Sequence, residues 1–191
     1  MHDNCVWNQI RFPDFVRDYK AVLMEMSDID AFSKSAERAF GLISSSVESI
    51  VSLFRSSPMQ IFHPENSPSA PFLCVKVLKM PENIPVGFSV LGGNRFDLSC
   101  EIILHFIDAK YSGFATGKLS MKITEFIDKY ISECGFEYCS THLDYGRRSL
   151  IRMFSSLGFE ERAYIPEFLH VRDSKGSRRV GATFMDKTYR R

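Results

Sequence analysis

The segment from Cys100 to Glu125, CEIILHFIDAKYSGFATGKLSMKITE, constrains this chain more than any other stretch. Ile102, Ile103, Leu104, Phe106 and Ile107 form an apolar run of strand length, rich in β-branched and aromatic residues. Gly113, Ala115 and Gly117 then alternate with Phe114 and Thr116, so small residues allow the backbone a close approach to a partner. Leu119, Ile123, Phe126, Ile127, Tyr130 and Ile131 follow at helical spacing and give one apolar stripe. Strand, small-residue turn and amphipathic helix therefore succeed one another. Such a turn leaves backbone N–H groups unpaired at the helix start, where the dipole favours an anion by ~0.3–1 kcal/mol. A phosphate site is one reading; a tight connection that only turns the chain is the other.

The run Lys110-Tyr-Ser-Gly-Phe-Ala115 resembles the acyl-CoA-binding signature Gln/Arg-x-x-Gly-x-Gly/Ala of the GNAT N-acetyltransferase superfamily. In this register Lys110 takes the Gln/Arg position, Gly113 the first Gly and Ala115 the Gly/Ala. Lys departs from the pattern but keeps a positive charge. A second register, starting at Ser112 and using Ala115 and Gly117, stays open. Downstream, the segment Ser149-Leu-Ile-Arg-Met-Phe-Ser-Ser-Leu-Gly-Phe159-Glu resembles the helix and Gly-Phe that close the acyl-CoA site in that family. The order of elements agrees over about residues 20 to 171.

The resemblance implies an α/β fold of GNAT type, a mixed, twisted sheet of six to seven strands flanked by about four helices. It implies acetyl-CoA as acyl donor and an amine as acceptor. Ser112, Gly113, Phe114, Ala115, Thr116 and Gly117 would cradle the pyrophosphate, with Lys110 and Lys118 adding charge. Phe106 and Ile107 on the strand, and Phe154 on the later helix, would also meet the cofactor. For catalysis the resemblance nominates Glu101 as base. The Tyr that serves as acid in many members falls at Phe154, which has no proton to give, and Tyr145 is the nearest replacement. The pantetheine-binding Asn falls near Arg147. Without the acid, a GNAT-fold module that binds acyl-CoA without turnover is the alternative.

Composition narrows the remaining classes. The 191 residues, 45% hydrophobic with 17 Phe, suit one domain: an extension over residues 1–18 and a single domain over 19–191. A net charge of +1 argues against a nucleic-acid or anionic-membrane partner, although the tail beyond Arg172 is locally basic. No apolar run nears the ~20 residues needed to span a bilayer. The start MHDNCVWNQI has no basic n-region, so no signal peptide is expected. The five cysteines lack CxxC spacing, and Cys74, Cys100 and Cys139 lie in strand-like stretches as small buried hydrophobes, which fits a cytoplasmic setting. No metal-ligand spacing or P-loop appears, and oligomeric state is not legible.

Along the chain, periodicity predicts a strand over 20–26, a helix capped by Ser27 and Asp28, and a second helix over 46–54. Antiparallel strands follow over 71–78 and 85–91, with a turn at Gly92-Gly93-Asn94. The central helix should start near Gly117 and end near Gly135. A strand over 136–143 then lies parallel to the first, a helix over 147–157 stops at Gly158, and short strands surround Pro166. His105 and His142 stand on the two parallel strands, each either a satisfied core residue or a base. A carboxyl at Glu101, beside Ile102 and Ile103, is either raised in pKa so that it accepts a proton near neutral pH, or solvated or paired with a base.

Overall fold

The computed structural model describes residues 18–40, 43–56, 72–111, 117–173 and 176–189. The expected extension as far as residue 17, the Pro-rich loop 57–71 and the loop 112–116 lie outside them. The elements in order are β1 (Tyr19–Leu23), a 3-10 turn (Met26–Asp28), α1 (Ile29–Phe40), β2 (Ile43–Ser44), α2 (Ser45–Ser56), β3 (Phe72–Lys79) and β4 (Ile84–Asn94). There follow β5 (Ser99–Ile107), a 3-10 turn (Ala109–Tyr111), α3 (Gly117–Glu133), β6 (Tyr138–Asp144), α4 (Arg148–Ser156), β7 (Glu160–Asp173) and β8 (Gly176–Thr188).

All strands belong to one mixed sheet, ordered β1-β3-β4-β5-β6-β8-β7-β2. Seven strands have five residues or more, and the two-residue β2 adds an eighth at the β7 edge. The β5 and β6 strands are parallel because helix α3 connects them; the other neighbours are antiparallel.

Helices cover both faces. On the back, Phe126, Ile127, Tyr130 and Ile131 of α3 and Phe154 of α4 pack on Leu73, Val75, Leu91, Ile102 and Cys139. On the front, Phe32 of α1 and Phe54 of α2 pack on Phe88, Val90 and Phe106. Phe32 sits edge-on to Phe54 and Phe88, each at 5.4 Å. Full burial of one such ring is worth about 1.5–3 kcal/mol, so these two layers hold the helices to the sheet. Four described cysteines (74, 100, 134 and 139) are free and buried, as small hydrophobes should be.

Three local details differ from the sequence-based expectation. The carboxylate of Asp28, not Ser27, caps the start of the first helical segment: it accepts from the Glu25 N–H at 2.8 Å and from Lys76 Nζ at 2.6 Å. Gly92, Gly93 and Asn94 lie within β4, because Gly92 leaves room for Ile103 across the ladder; the chain turns over 95–98 instead. Residues 160–173 form one strand rather than two short ones, with Pro166 in a register irregularity between Ile165 and Leu169. That irregularity spares the ladder the N–H that proline lacks.

Two features of β5 shape the centre of the sheet. Val90 faces Leu104 while Leu91 faces Ile102, so Ile103 is an extra, bulged residue. The bulge reverses the alternation: Cys100 and Ile102 point to α3, but beyond it His105 and Ile107 do, and Phe106 turns to α1. The second feature is a fork. Pairing of β5 with β6 runs from Ser99–Tyr138 to Ile102–Thr141 and stops, although β5 continues to Ile107 and β6 to Asp144. Thr141 Oγ1 donates to the Ile102 carbonyl at 2.9 Å, in the crotch of that fork.

A candidate active site at the strand fork

Glu101 pairs with Ser140, one step before the ladder ends, and His142 lies two residues further along β6. Their side chains meet across the fork, with Glu101 Oε1 3.3 Å from His142 Nδ1. Both reach solvent, at 46% and 26% side-chain exposure respectively. An ionised Glu101 accepts from Nδ1–H and leaves Nε2 of His142 as an acceptor, the tautomer a proton-accepting imidazole needs. Two aromatic rings lie against the imidazole. Phe184, its direct β8 partner, lies at 5.0 Å and 39°, and Phe168 of β7 stacks at 4.8 Å and 20°.

His105 has the opposite character. Its Nδ1 lies 2.8 Å from Ser89 Oγ and its Nε2 2.9 Å from Thr124 Oγ1. Thr124 Oγ1 spends its own proton on the Ser120 carbonyl at 2.8 Å. It therefore accepts from Nε2–H, and Ser89 donates to Nδ1. Burial pushes the imidazole pKa down to about 4. His105 is a neutral core residue tying α3 to β4 and β5, with no free nitrogen for chemistry.

Beyond β5 the chain is anchored by Asp108, whose side chain is 2% exposed. It accepts from Ser35 Oγ at 2.8 Å, the Lys110 N–H at 3.0 Å and Arg38 Nε at 3.1 Å. Burial alone would push this carboxyl up, yet Arg38, the Lys110 amide and Ser35 together hold it below its ordinary value. At the end of β6, Arg147 donates from both terminal nitrogens to the Ala39 carbonyl, each at 3.2 Å. Successive residues of the last turn of α1 thus tie to both prongs of the fork.

The nominated residues that are described have different settings. Lys110 is exposed, its Nζ 5.8 Å from the centre of the Tyr111 ring. Gly117 is the first residue of α3, where the sequence puts the helix start, and Lys118 is the second. Ser112, Gly113, Phe114, Ala115 and Thr116 lie outside the described residues. Phe106 and Ile107 are on the diverging stretch, but their side chains are core on opposite faces; a ligand there would meet their backbone. Phe154 is 0% exposed, edge-on to His105 at 6.3 Å and to Phe159 at 5.1 Å. Tyr145 is exposed, and its ring packs on Tyr164 at 4.7 Å and under Arg148 at 3.9 Å, not on Glu101 or His142. Sequence reasoning missed Phe168 and Phe184 and weighed Glu101 and His142 singly. The signal that joins them is the β5–β6 register, which no local pattern encodes.

Among the described residues no cluster of His, Cys, Asp and Glu could hold a metal, and no helix is long and apolar enough to cross a membrane. No family model and no curated protein matches the chain by sequence. Solved structures do match by shape. The ribosomal-protein-S18-alanine N-acetyltransferase of Escherichia coli superposes with a TM-score of 0.66 at 15% identity, over 89% of this chain and 93% of that one. The spermidine N-acetyltransferase of Vibrio cholerae, solved with CoA and spermine, gives 0.66 at 12% identity over 91% and 96%. YncA of Salmonella typhimurium, solved with acetyl-CoA, gives 0.60 at 14% over 90% and 94%. The bulged central strand, the parallel pair that parts, and the helix that begins at Gly117 thus belong to a chain with the GNAT acetyltransferase fold.

Proposed function

We propose that this chain is an acyl-CoA-dependent N-acetyltransferase that moves the acetyl group of acetyl-CoA to an amine of a small molecule, peptide or protein. The observation that carries this reading is the Glu101–His142 pair at the point where β5 and β6 part. Unpaired backbone along both prongs suits an extended amide-bearing arm, and the start of α3 at Gly117 suits phosphates. The loop 112–116, with Lys110 and Lys118 beside it, is the proposed pyrophosphate cradle. Structures of the same fold bound to CoA or acetyl-CoA support that donor. The acceptors named for two of the matched proteins, a ribosomal-protein alanine and spermidine, differ from one another, so the fold leaves the acceptor open.

In the proposed reaction the amine reaches the fork as an ammonium and must lose a proton before it can attack. His142 Nε2 takes that proton, directly or through water, while Glu101 holds Nδ1–H and stabilises the imidazolium. The amine nitrogen bonds to the acetyl carbonyl carbon, the bond from that carbon to sulfur breaks, and the nitrogen gives up its surplus proton to solvent, which leaves a neutral amide. The departing thiolate picks up a proton from solvent or from Tyr145. An alkyl thiolate is a weak enough base to leave before it is protonated, so a positioned phenol is not essential. Water suffices here.

One observation favours a second reading, binding without turnover: Phe154 fills the place of the expected hydroxyl and is sealed in the core. Thiol release from acetyl-CoA, followed with a panel of amines, separates the two. Amine-dependent release supports transfer. Saturable acetyl-CoA binding with no release for any amine supports the second reading.

A further inference from the structure

We infer, resting on the acetyl-transfer reading, that the acceptor is a primary amine with a single positive charge on a flat, apolar skeleton, and that Phe168 selects it. The first support is the wall beside the base. Phe168 is 48% exposed, a large apolar ring held at the surface. It stands where β7 departs from its ladder, just after Pro166 and after Glu167, whose φ of 53° is the left-handed conformation that non-glycine residues avoid. Irregularities of this kind re-aim a side chain, and this one brings the ring onto His142. A half-open ring next to a proton acceptor offers a stacking surface to a flat group and a cation–π surface to the ammonium before it is deprotonated.

The second support is charge. The buried carboxylates around the fork already have cations of this chain: Asp186 has Arg162 Nε at 2.8 Å, and Asp108 has Arg38. Asp144 has Arg147 at 3.8 Å. Among the described carboxylates at the fork, Glu101 is the one whose partner is an imidazole. Glu167 is exposed, where water and salt screen it. Two residues beyond Phe168 on β7, His170 pairs with an exposed Arg179 of β8. A polyamine seated at the fork would put its further ammonium groups among carboxylates that already have cationic partners, with Arg179 on the neighbouring strand. A monoamine with an apolar body meets neither penalty.

Initial rates with acetyl-CoA and matched amines test this: 2-phenylethylamine against butylamine, 1,4-diaminobutane and spermidine. The expected result is a kcat/KM for 2-phenylethylamine at least about tenfold above that for either polyamine. Phe168→Ala should collapse the preference for 2-phenylethylamine over butylamine through KM. Phe168→Leu, which keeps apolar volume without a flat face, should lose the aryl preference over butylamine but not the discrimination against polyamines. Equal or better use of spermidine overturns the acceptor class while leaving acetyl transfer intact. A preference over butylamine that survives in Phe168→Ala overturns the role of Phe168. No amine-dependent release at all overturns the acetyl-transfer reading, and this inference falls with it.

Discussion

Acidification should loosen this fold through His105, and the size of the effect is set by its surroundings. The buried imidazole titrates at about 4 in the folded chain, against ~6.5 when unfolded. A base whose folded pKa is depressed binds fewer protons folded than unfolded between those two values. Its contribution is therefore complete above pH 6.5 and is lost as pH falls toward 4. Integrating the difference gives a loss of about 2 kcal/mol by pH 5 and about 3 kcal/mol by pH 4. Protonation would also place a proton on Nδ1, so Ser89 of β4 could no longer donate to it. Urea unfolding at a series of pH values, on the parent and on His105→Gln, isolates this residue because other groups titrate alike in both. The stability difference between the two should shrink by about 3 kcal/mol from pH 7 to pH 4. A difference that is flat with pH, or that grows on acidification, would refute the assignment of His105 as a neutral, fully bonded core residue.

Other perturbations have defined outcomes. Phe154→Ala should cost about 3–5 kcal/mol in a denaturant titration, because the ring is sealed between His105 and Phe159. Arg38→Ala should lower stability by about 1–3 kcal/mol, since Asp108 would keep only Ser35 and the Lys110 amide; thermal melts read this directly. Gly113→Val should abolish acyl-CoA binding in calorimetry while its stability cost stays within the ~0.5–3 kcal/mol of ordinary point mutants, because a branched side chain would stand where phosphate must approach backbone N–H groups.

Much of this architecture is legible in the amino-acid sequence where one element buries one face. The stripe Leu119, Ile123, Phe126 and Tyr130 is buried as its spacing predicts, α3 starts at Gly117, and Gly158 has the positive φ of a residue that ends a helix. What escapes local pattern is set by partners distant in the chain. Gly92 looks like a turn residue, yet it is in a strand because Ile103 crosses over it. Pro166 looks like a strand breaker, yet the sheet absorbs it and uses the irregularity to aim Phe168. Glu101 and His142 are 41 residues apart, and their contact comes from a parallel register that a helix crossover creates. The bulge at Ile103 is likewise invisible beforehand, because nothing in an apolar run tells which residue the ladder will skip.

The central claim is that the fork carries out acetyl transfer with Glu101 and His142 as its proton acceptor. It is tested most directly by measuring, on the parent and on Glu101→Gln, both acetyl-CoA affinity by calorimetry and amine-dependent thiol release. The account predicts micromolar-range binding that the substitution leaves unchanged, and a rate of release that falls by about 10²-fold or more. A Glu101→Gln chain that releases thiol as fast as the parent, or a parent that does not bind acetyl-CoA, would contradict it.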